Sequence, residues 1–100
     1  MFLKFKRLWK ETPLKSSYDA VIIGGGLHGL AAAYFLASRH HIRDVAVVEK
    51  KFIGCGAAGR NTAIVRANQR TQENIPLYKE ALDLWPVLTR ELDFNLMFYN

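Results

Sequence analysis

The stretch "VIIGGGLHGLAAAYFLA", residues 21–37, limits the folds open to this chain more than any other segment. An apolar run ending at Ile23 meets three consecutive glycines and then an alanine-rich segment with helical spacing. Gly24, Gly26 and Gly29 fit G-x-G-x-x-G, in which each glycine has a mechanical task. The first permits a tight turn, the second lets a pyrophosphate approach the main chain, and the third lets helix and strand pack closely. The N–H groups that open the helix then face the phosphates.

A glycine-rich turn between strand and helix can also serve packing alone, so the flanks carry the decision. "YDAVII" reads as a short buried strand, and Leu27, Leu30, Ala31, Tyr34, Leu36 and Ala37 place apolar groups on a broad helical face. A second β-rich run, "DVAVVEK", follows a helix length later and carries Glu49 twenty residues after Gly29. A ribose-binding carboxylate belongs there in a dinucleotide-binding βαβ unit, because the end of the second parallel strand lies beside the first. The pattern predicts an α/β, Rossmann-like unit. The plainer alternative keeps the glycines for packing and leaves Glu49 as a solvated strand end.

Beyond that strand, "KKFIGCGAAGRNTAIVRANQR" has Gly54, Gly56 and Gly59 with the small Ala57 and Ala58, a loop suited to close approach. Arg60, Asn61 and Thr62 supply a cation, an amide and a hydroxyl in succession, which suits a phosphate or a polar cofactor edge. Taken by itself the cluster also fits a solvated loop with a helix cap. "NIPLYKEALDLWPVLTREL" then reads as a helix with Leu77, Ala81, Leu84, Trp85, Leu88 and Leu92 on one stripe. Pro76 suits the first turn, whereas Pro86 lies inside the stripe and is expected to kink it. The closing "DFNLMFYN" reads as the start of a further strand without a terminating signal, as expected of the N-terminal portion of a longer chain.

One hundred residues, half of them hydrophobic, allow one small domain with a modest core. The net charge of +5 is unevenly spread: residues 1–15 hold five basic residues against Glu11, and the remainder is nearly neutral. The excess therefore sits in a tail, which argues against a nucleic-acid-binding face. That tail, "MFLKFKRLWKETPLKSS", places Phe2, Phe5, Leu8 and Trp9 at roughly helical spacing among basic residues. Such an extension suits packing on its own protein or a partner subunit better than contact with an anionic membrane surface. No apolar run reaches the length of a membrane span and no secretory leader is evident. The one cysteine, Cys55, has no internal disulfide partner, so a reducing, cytoplasmic setting is expected. No internal repeat or low-complexity segment stands out.

"YDAVIIGGGLHGLAAAYFLA", "VAVVEK", "GRNTAIVRANQ" and "LYKEALDLW" together resemble the N-terminal part of the β subunits of heterotetrameric sarcosine oxidases. These form part of the D-amino-acid-oxidase-like group of FAD-dependent amine oxidoreductases. The resemblance runs from about Tyr18 to Phe98 and includes the G-x-H-G variant at Gly26–Gly29 and Arg66 after the Arg60 cluster. It implies residues 1–17 as an N-terminal extension and residues 18–100 as the first part of an FAD-binding domain whose substrate domain lies elsewhere.

The resemblance further implies an FAD whose ADP half rests on Gly24, Gly25, Gly26, Leu27, His28 and Gly29. Glu49 and Lys50 would hold the adenosine ribose. Ala57, Arg60, Asn61, Thr62 and Ile64 would follow the pyrophosphate toward the flavin. In such enzymes the flavin takes a hydride from the N-methyl group of a secondary amine such as sarcosine, and the imine hydrolyses. Electrons then pass to an FMN tethered to a histidine beyond residue 100, and on to oxygen, within an assembly of several subunits. The residues here would thus hold cofactor without catalytic or metal-ligating groups, and His28 would act through its backbone and packing. Ala57 stands where the family often has asparagine and Leu27 where it tends to have glycine, which leaves the substrate open. An NAD-binding dehydrogenase domain and a non-catalytic interaction module remain the alternatives, since Glu49 suits the adenosine ribose of either dinucleotide.

Overall fold

A computed structural model of the chain describes residues 12–68 and 71–99. Most of the basic amphipathic tail, including Phe2, Phe5, Leu8 and Trp9, lies outside the described residues. The chain forms two compact units, residues 1–60 and 61–100.

The first unit is a βαβ element. Strand β1 (Ala20–Ile23) leads into helix α1 (Leu27–His40), which returns the chain to strand β2 (Val45–Val48). The strands pair in parallel with Ala20 opposite Val45 and Ile23 opposite Val48. Asp19 N–H donates to the Asp44 carbonyl at 2.9 Å, and Gly24 N–H donates to the Val48 carbonyl at 2.8 Å, so the ladder runs on into the first glycine. Both strands therefore deliver their C-terminal ends to one place, as the sequence pattern predicts.

Helix α1 starts where the glycines release the chain and stops for equally local reasons. Arg39 and His40 occupy its last turn, where positive charge complements the helix dipole. His41 turns left-handed at φ 59°, and Ile42 N–H donates to the Leu36 carbonyl at 3.0 Å, which closes the helix end. The helix packs on both strands, with Ala20 and Ile22 half-buried beneath it and Val21 and Ile23 turned away. Ile23 is 89% exposed, and no apolar side chain among the described residues is fully buried. One helix on two short strands covers only one face, so the modest core expected from composition does not close within these residues.

Before β1, Lys15 reaches forward to the sheet: its Nζ lies 2.6 Å from Asp44 Oδ1 and 5.8 Å from the centre of the Tyr18 ring. Asp44 and its neighbours hold the Lys15 amine above its usual lysine value through the Asp44 hydrogen bond.

In the second unit, a 3-10 turn (Gln72–Asn74) opens helix α2 (Ile75–Glu91). Pro76 sits in the first turn, where its missing N–H has no intrahelical partner to lose, and the helix runs through Pro86 to Glu91. Of the expected stripe, Leu84, Trp85 and Leu88 are half-buried, whereas Leu77, Ala81 and Leu92 are exposed. Phe98 stacks on Trp85 with ring centres 6.1 Å apart.

The further strand expected in "DFNLMFYN" is absent from the described residues. Two local features break the extended run: Asp93 and Met97 take positive φ values of 47° and 52°, and Asn95 Oδ1 accepts the Met97 N–H at 2.8 Å. The Asn95 side chain thus competes for the backbone donor that a strand needs.

Candidate functional site

The site grows from the glycines that follow β1. Gly24 sits at φ 109°, a conformation that side-chain-bearing residues rarely adopt, so the tight turn requires glycine. A Cβ on Gly29 would overlap the Gly24 carbonyl oxygen and lie 3.3 Å from Ile22 Cγ2. The third glycine therefore lets α1 press its first turn against the strand end. A Cβ on Gly26 meets nothing within 4 Å, so the space beside the second motif glycine is open. The tight turn at Gly24 and the close packing at Gly29 have their geometric counterparts here.

Helix α1 begins at this open space without a side-chain cap. Gly26 is its N-cap, no side-chain hydrogen bond closes it, and no acidic residue stands in the first turn. The opening N–H groups of a helix need partners from outside it, and an anion is a suitable one. Leu27 and His28 are the first two helical residues and both are exposed. Their side chains leave the helix start accessible, and they contribute main-chain N–H groups.

Glu49 follows β2 directly and reaches back to the turn. Its Oε2 accepts the Gly25 N–H at 2.9 Å, and its Oε1 accepts the Lys51 N–H at 2.9 Å and faces Cys55 Sγ at 3.6 Å. These bonds favour the charged form, led by the Gly25 N–H and then that of Lys51, and hold the carboxyl below its ordinary glutamate value. Lys50, beside it in sequence, is exposed and adds positive charge to the same effect. Gly25 is buried, and a Cβ there would lie 3.1 Å from Glu49 Cβ. The middle glycine of the run thus makes room for the carboxylate, a role the G-x-G-x-x-G spacing does not assign it.

The loop after β2 holds what the sequence reading missed. Gly54, Gly56 and Gly59 repeat the G-x-G-x-x-G spacing, and they repeat the geometry as well. Gly54 has φ 77°, a Cβ on Gly56 meets nothing within 4 Å, and a Cβ on Gly59 would overlap the Gly54 carbonyl oxygen. Gly54 N–H donates to the Gly25 carbonyl at 2.9 Å, so the second glycine turn is tied to the first. The signal was present in the sequence as a motif recurring thirty residues on, where no internal repeat was expected.

Ala57 opens the 3-10 turn (Ala57–Gly59) that ends this second glycine segment. Arg60 closes it, its N–H donating to the Ala57 carbonyl at 3.1 Å, and its side chain is exposed. Asn61, Thr62 and Ile64 belong to the second unit. There Asn61 Oδ1 accepts the Ala63 N–H at 2.7 Å, Ala63 takes φ 55°, and Thr62 and Ile64 are exposed. The structure thus brings Glu49 and Gly54 together on one residue of the glycine run, Gly25, and presents Asn61, Thr62 and Ile64 on a separate unit.

Comparison with known proteins agrees with the chemistry this geometry favours. The family described as FAD dependent oxidoreductase matches residues 19–100. The chain is 47% identical over 91 residues to sarcosine oxidase subunit beta from Arthrobacter sp, covering 91% of this chain and 22% of that protein. It is 46% identical over 89 residues to the protein of the same name from Rhizobium meliloti (strain 1021), covering 89% of this chain and 21% of that one. A glycine oxidase from Geobacillus kaustophilus (strain HTA426) is 37% identical over 78 residues, which are 75% of this chain and 20% of the oxidase. The chain therefore spans about a fifth of the length of these relatives. Among its described residues, no helix is long and apolar enough to cross a membrane. With its glycine turn, strand-end carboxylate and family match over most of its length, the chain belongs to the FAD dependent oxidoreductase family.

Proposed function

We propose that this chain is the N-terminal FAD-binding portion of a flavin-dependent amine oxidoreductase acting on sarcosine or a related secondary amine or amino acid. One observation carries the reading: the Gly25 peptide is held by Glu49 at the mouth of an uncapped helix, with open space beside Gly26. That combination offers main-chain donors to a pyrophosphate and a charged acceptor to a ribose. An ionised carboxylate has about four lone-pair sites, more than the three donors that reach Glu49. Capacity therefore remains for a ribose hydroxyl.

FAD, when bound, supplies a ring that accepts a hydride equivalent from the carbon next to an amine nitrogen. The residues of this chain bind and orient. Gly26, Leu27, His28 and Gly29 present backbone to the phosphates, Gly24 and Gly25 shape the turn, and Glu49 takes the ribose with Lys50 beside it. Ala57 and Arg60, with Asn61, Thr62 and Ile64 assigned from the sequence resemblance, extend the grip along the cofactor. Ala57, where the resemblance leads one to expect asparagine, gives up one polar side chain, and Leu27, where it leads one to expect glycine, leaves the main-chain cradle in place.

The domain division goes with this reading: residues 1–17 as an extension and 18–100 as cofactor-binding domain. Substrate contacts, the tethered FMN and the partner subunits then belong to other parts of the assembly, in a cytoplasmic setting consistent with one free thiol. The 100 residues alone are expected to give no oxidase turnover, because flavin chemistry needs the substrate fixed against the ring in a shaped pocket.

The cofactor assignment is tested by the visible spectrum of the full protein purified with its native cofactor. A flavin spectrum is expected. A colourless, folded protein that binds NADH instead would overturn the assignment.

A further inference from the structure

Three consecutive glycines ought to be the softest part of the backbone, because glycine has the widest conformational freedom. A phosphate cradle, in contrast, works only if its N–H groups are already aimed. Two partners outside the glycine run resolve this conflict, each acting on a different peptide plane.

A peptide group is planar and trans, so its C=O and N–H point in opposite directions as one rigid unit. The Gly24–Gly25 peptide is held by its N–H, which donates to Glu49 Oε2 at 2.9 Å. The Gly25–Gly26 peptide is held by its carbonyl, which accepts the Gly54 N–H at 2.9 Å. Fixing that carbonyl aims the Gly26 N–H the opposite way. Gly54 can donate from this place because it takes φ 77° and because Gly59, lacking a side chain, lets the Gly54 carbonyl approach it.

We propose that the Gly54–Gly59 turn is a brace for the cofactor turn, with Gly54 and Gly59 as positioning residues that aim the Gly26 N–H at the pyrophosphate. The proposal rests on the reading of Gly24–Gly29 as a dinucleotide site. It gives the repeated motif a task different from that of its first copy: the first turn meets the ligand, and the second holds the first. A Cβ on Gly59 displaces the Gly54 carbonyl and with it the Gly54 N–H. A Cβ on Gly56 meets nothing and leaves the brace intact.

The test uses the full protein stripped of flavin and titrated with FAD, ADP and adenosine. Gly59→Ala is expected to weaken FAD and ADP by about tenfold or more, the worth of one charge-assisted hydrogen bond. Adenosine, which carries the ribose but no phosphate, is expected to bind as it does to the wild type. General loss of folding would instead weaken all three together. Gly56→Ala is expected to bind all three ligands normally. Wild-type affinity for FAD in Gly59→Ala overturns the brace, and so does an equal loss in Gly56→Ala, which would make the second turn a direct contact. Should Gly59→Ala fail to fold, amide exchange in the wild type decides: the Gly54 N–H is expected to be protected without cofactor, and free exchange there refutes the proposal. A wild-type protein that does not bind FAD refutes the dinucleotide reading and the proposal with it, an outcome distinct from a failure of the brace alone.

Discussion

Gly26 and Gly29 stand three residues apart in one motif, yet adding the same methyl group to each has opposite consequences. At Gly29 the new Cβ overlaps the Gly24 carbonyl oxygen and lies 3.2 Å from its carbonyl carbon. These are backbone atoms, so no rotamer change relieves the clash, and α1 must retreat from the end of β1. Overpacking of this kind costs about 1–3 kcal/mol, with backbone against backbone at the upper end. Replacing a helical glycine by alanine returns about 1 kcal/mol. Gly29→Ala is therefore destabilising by about 2 kcal/mol.

At Gly26 the backbone is extended, at φ −86° and ψ −175°, and a Cβ meets nothing within 4 Å. Reduced freedom of the unfolded chain contributes about 0.4–1 kcal/mol in favour of alanine, and the poorer fit of alanine at an N-cap opposes it. The stability of Gly26→Ala is thus expected to stay within about 1 kcal/mol of the wild type. Its methyl nevertheless occupies the space assigned to the pyrophosphate. Urea unfolding of the stripped full protein, followed by circular dichroism, measures the first quantity, and FAD titration measures the second. Gly29→Ala should lower the unfolding midpoint by less than about 1 M, since slopes of about 1–3 kcal/mol/M for small proteins rise with chain size. Gly26→Ala should leave the midpoint nearly unmoved while FAD affinity falls about tenfold or more. Wild-type FAD affinity in Gly26→Ala would refute the assignment of that open space.

Glu49→Ala is expected to lower FAD affinity roughly ten- to a hundredfold without unfolding the domain, and unchanged FAD retention would return Glu49 to a solvated strand end. The lowered pKa of Glu49 gives a pH signature at Gly25. A folded value below the unfolded one means that the Glu49–Gly25 bond stabilises the fold above the ordinary glutamate range and is lost as pH falls through the lowered value. The Gly25 amide resonance of the cofactor-free protein should therefore titrate with a midpoint below that of an ordinary glutamate, and a midpoint at or above it contradicts the hydrogen-bonded carboxylate.

Much of the site was legible because its parts are local in sequence or separated by one regular element. G-x-G-x-x-G between an apolar run and a helical pattern marks β1, the turn and the start of α1. The helix length in between brings Glu49 to the end of β2. The terminal segment misled for an equally physical reason. Apolar residues such as Leu96, Met97 and Phe98 suit a strand, but a strand exists only with a partner to receive its backbone bonds. The Asn95 side chain takes one of those donors instead. Pro86 stands inside α2, as its place within the apolar stripe led one to expect.

By itself the sequence determined the element order of the first unit, the tight turn at Gly24 and the close packing at Gly29, and the resemblance to FAD-dependent amine oxidoreductases. Each follows from spacing, which acts over one turn or one helix. Only the tertiary structure decided which partners the Gly25 backbone meets: its N–H the Glu49 carboxylate, and its carbonyl the Gly54 N–H. Those partners are more than twenty residues apart in the chain, and apart from the Glu49 carboxylate they are backbone groups, which every residue type except proline carries in the same form. A main-chain donor leaves no mark in the sequence, so its partner is settled only when parallel pairing of β1 and β2 sets the two strand ends side by side.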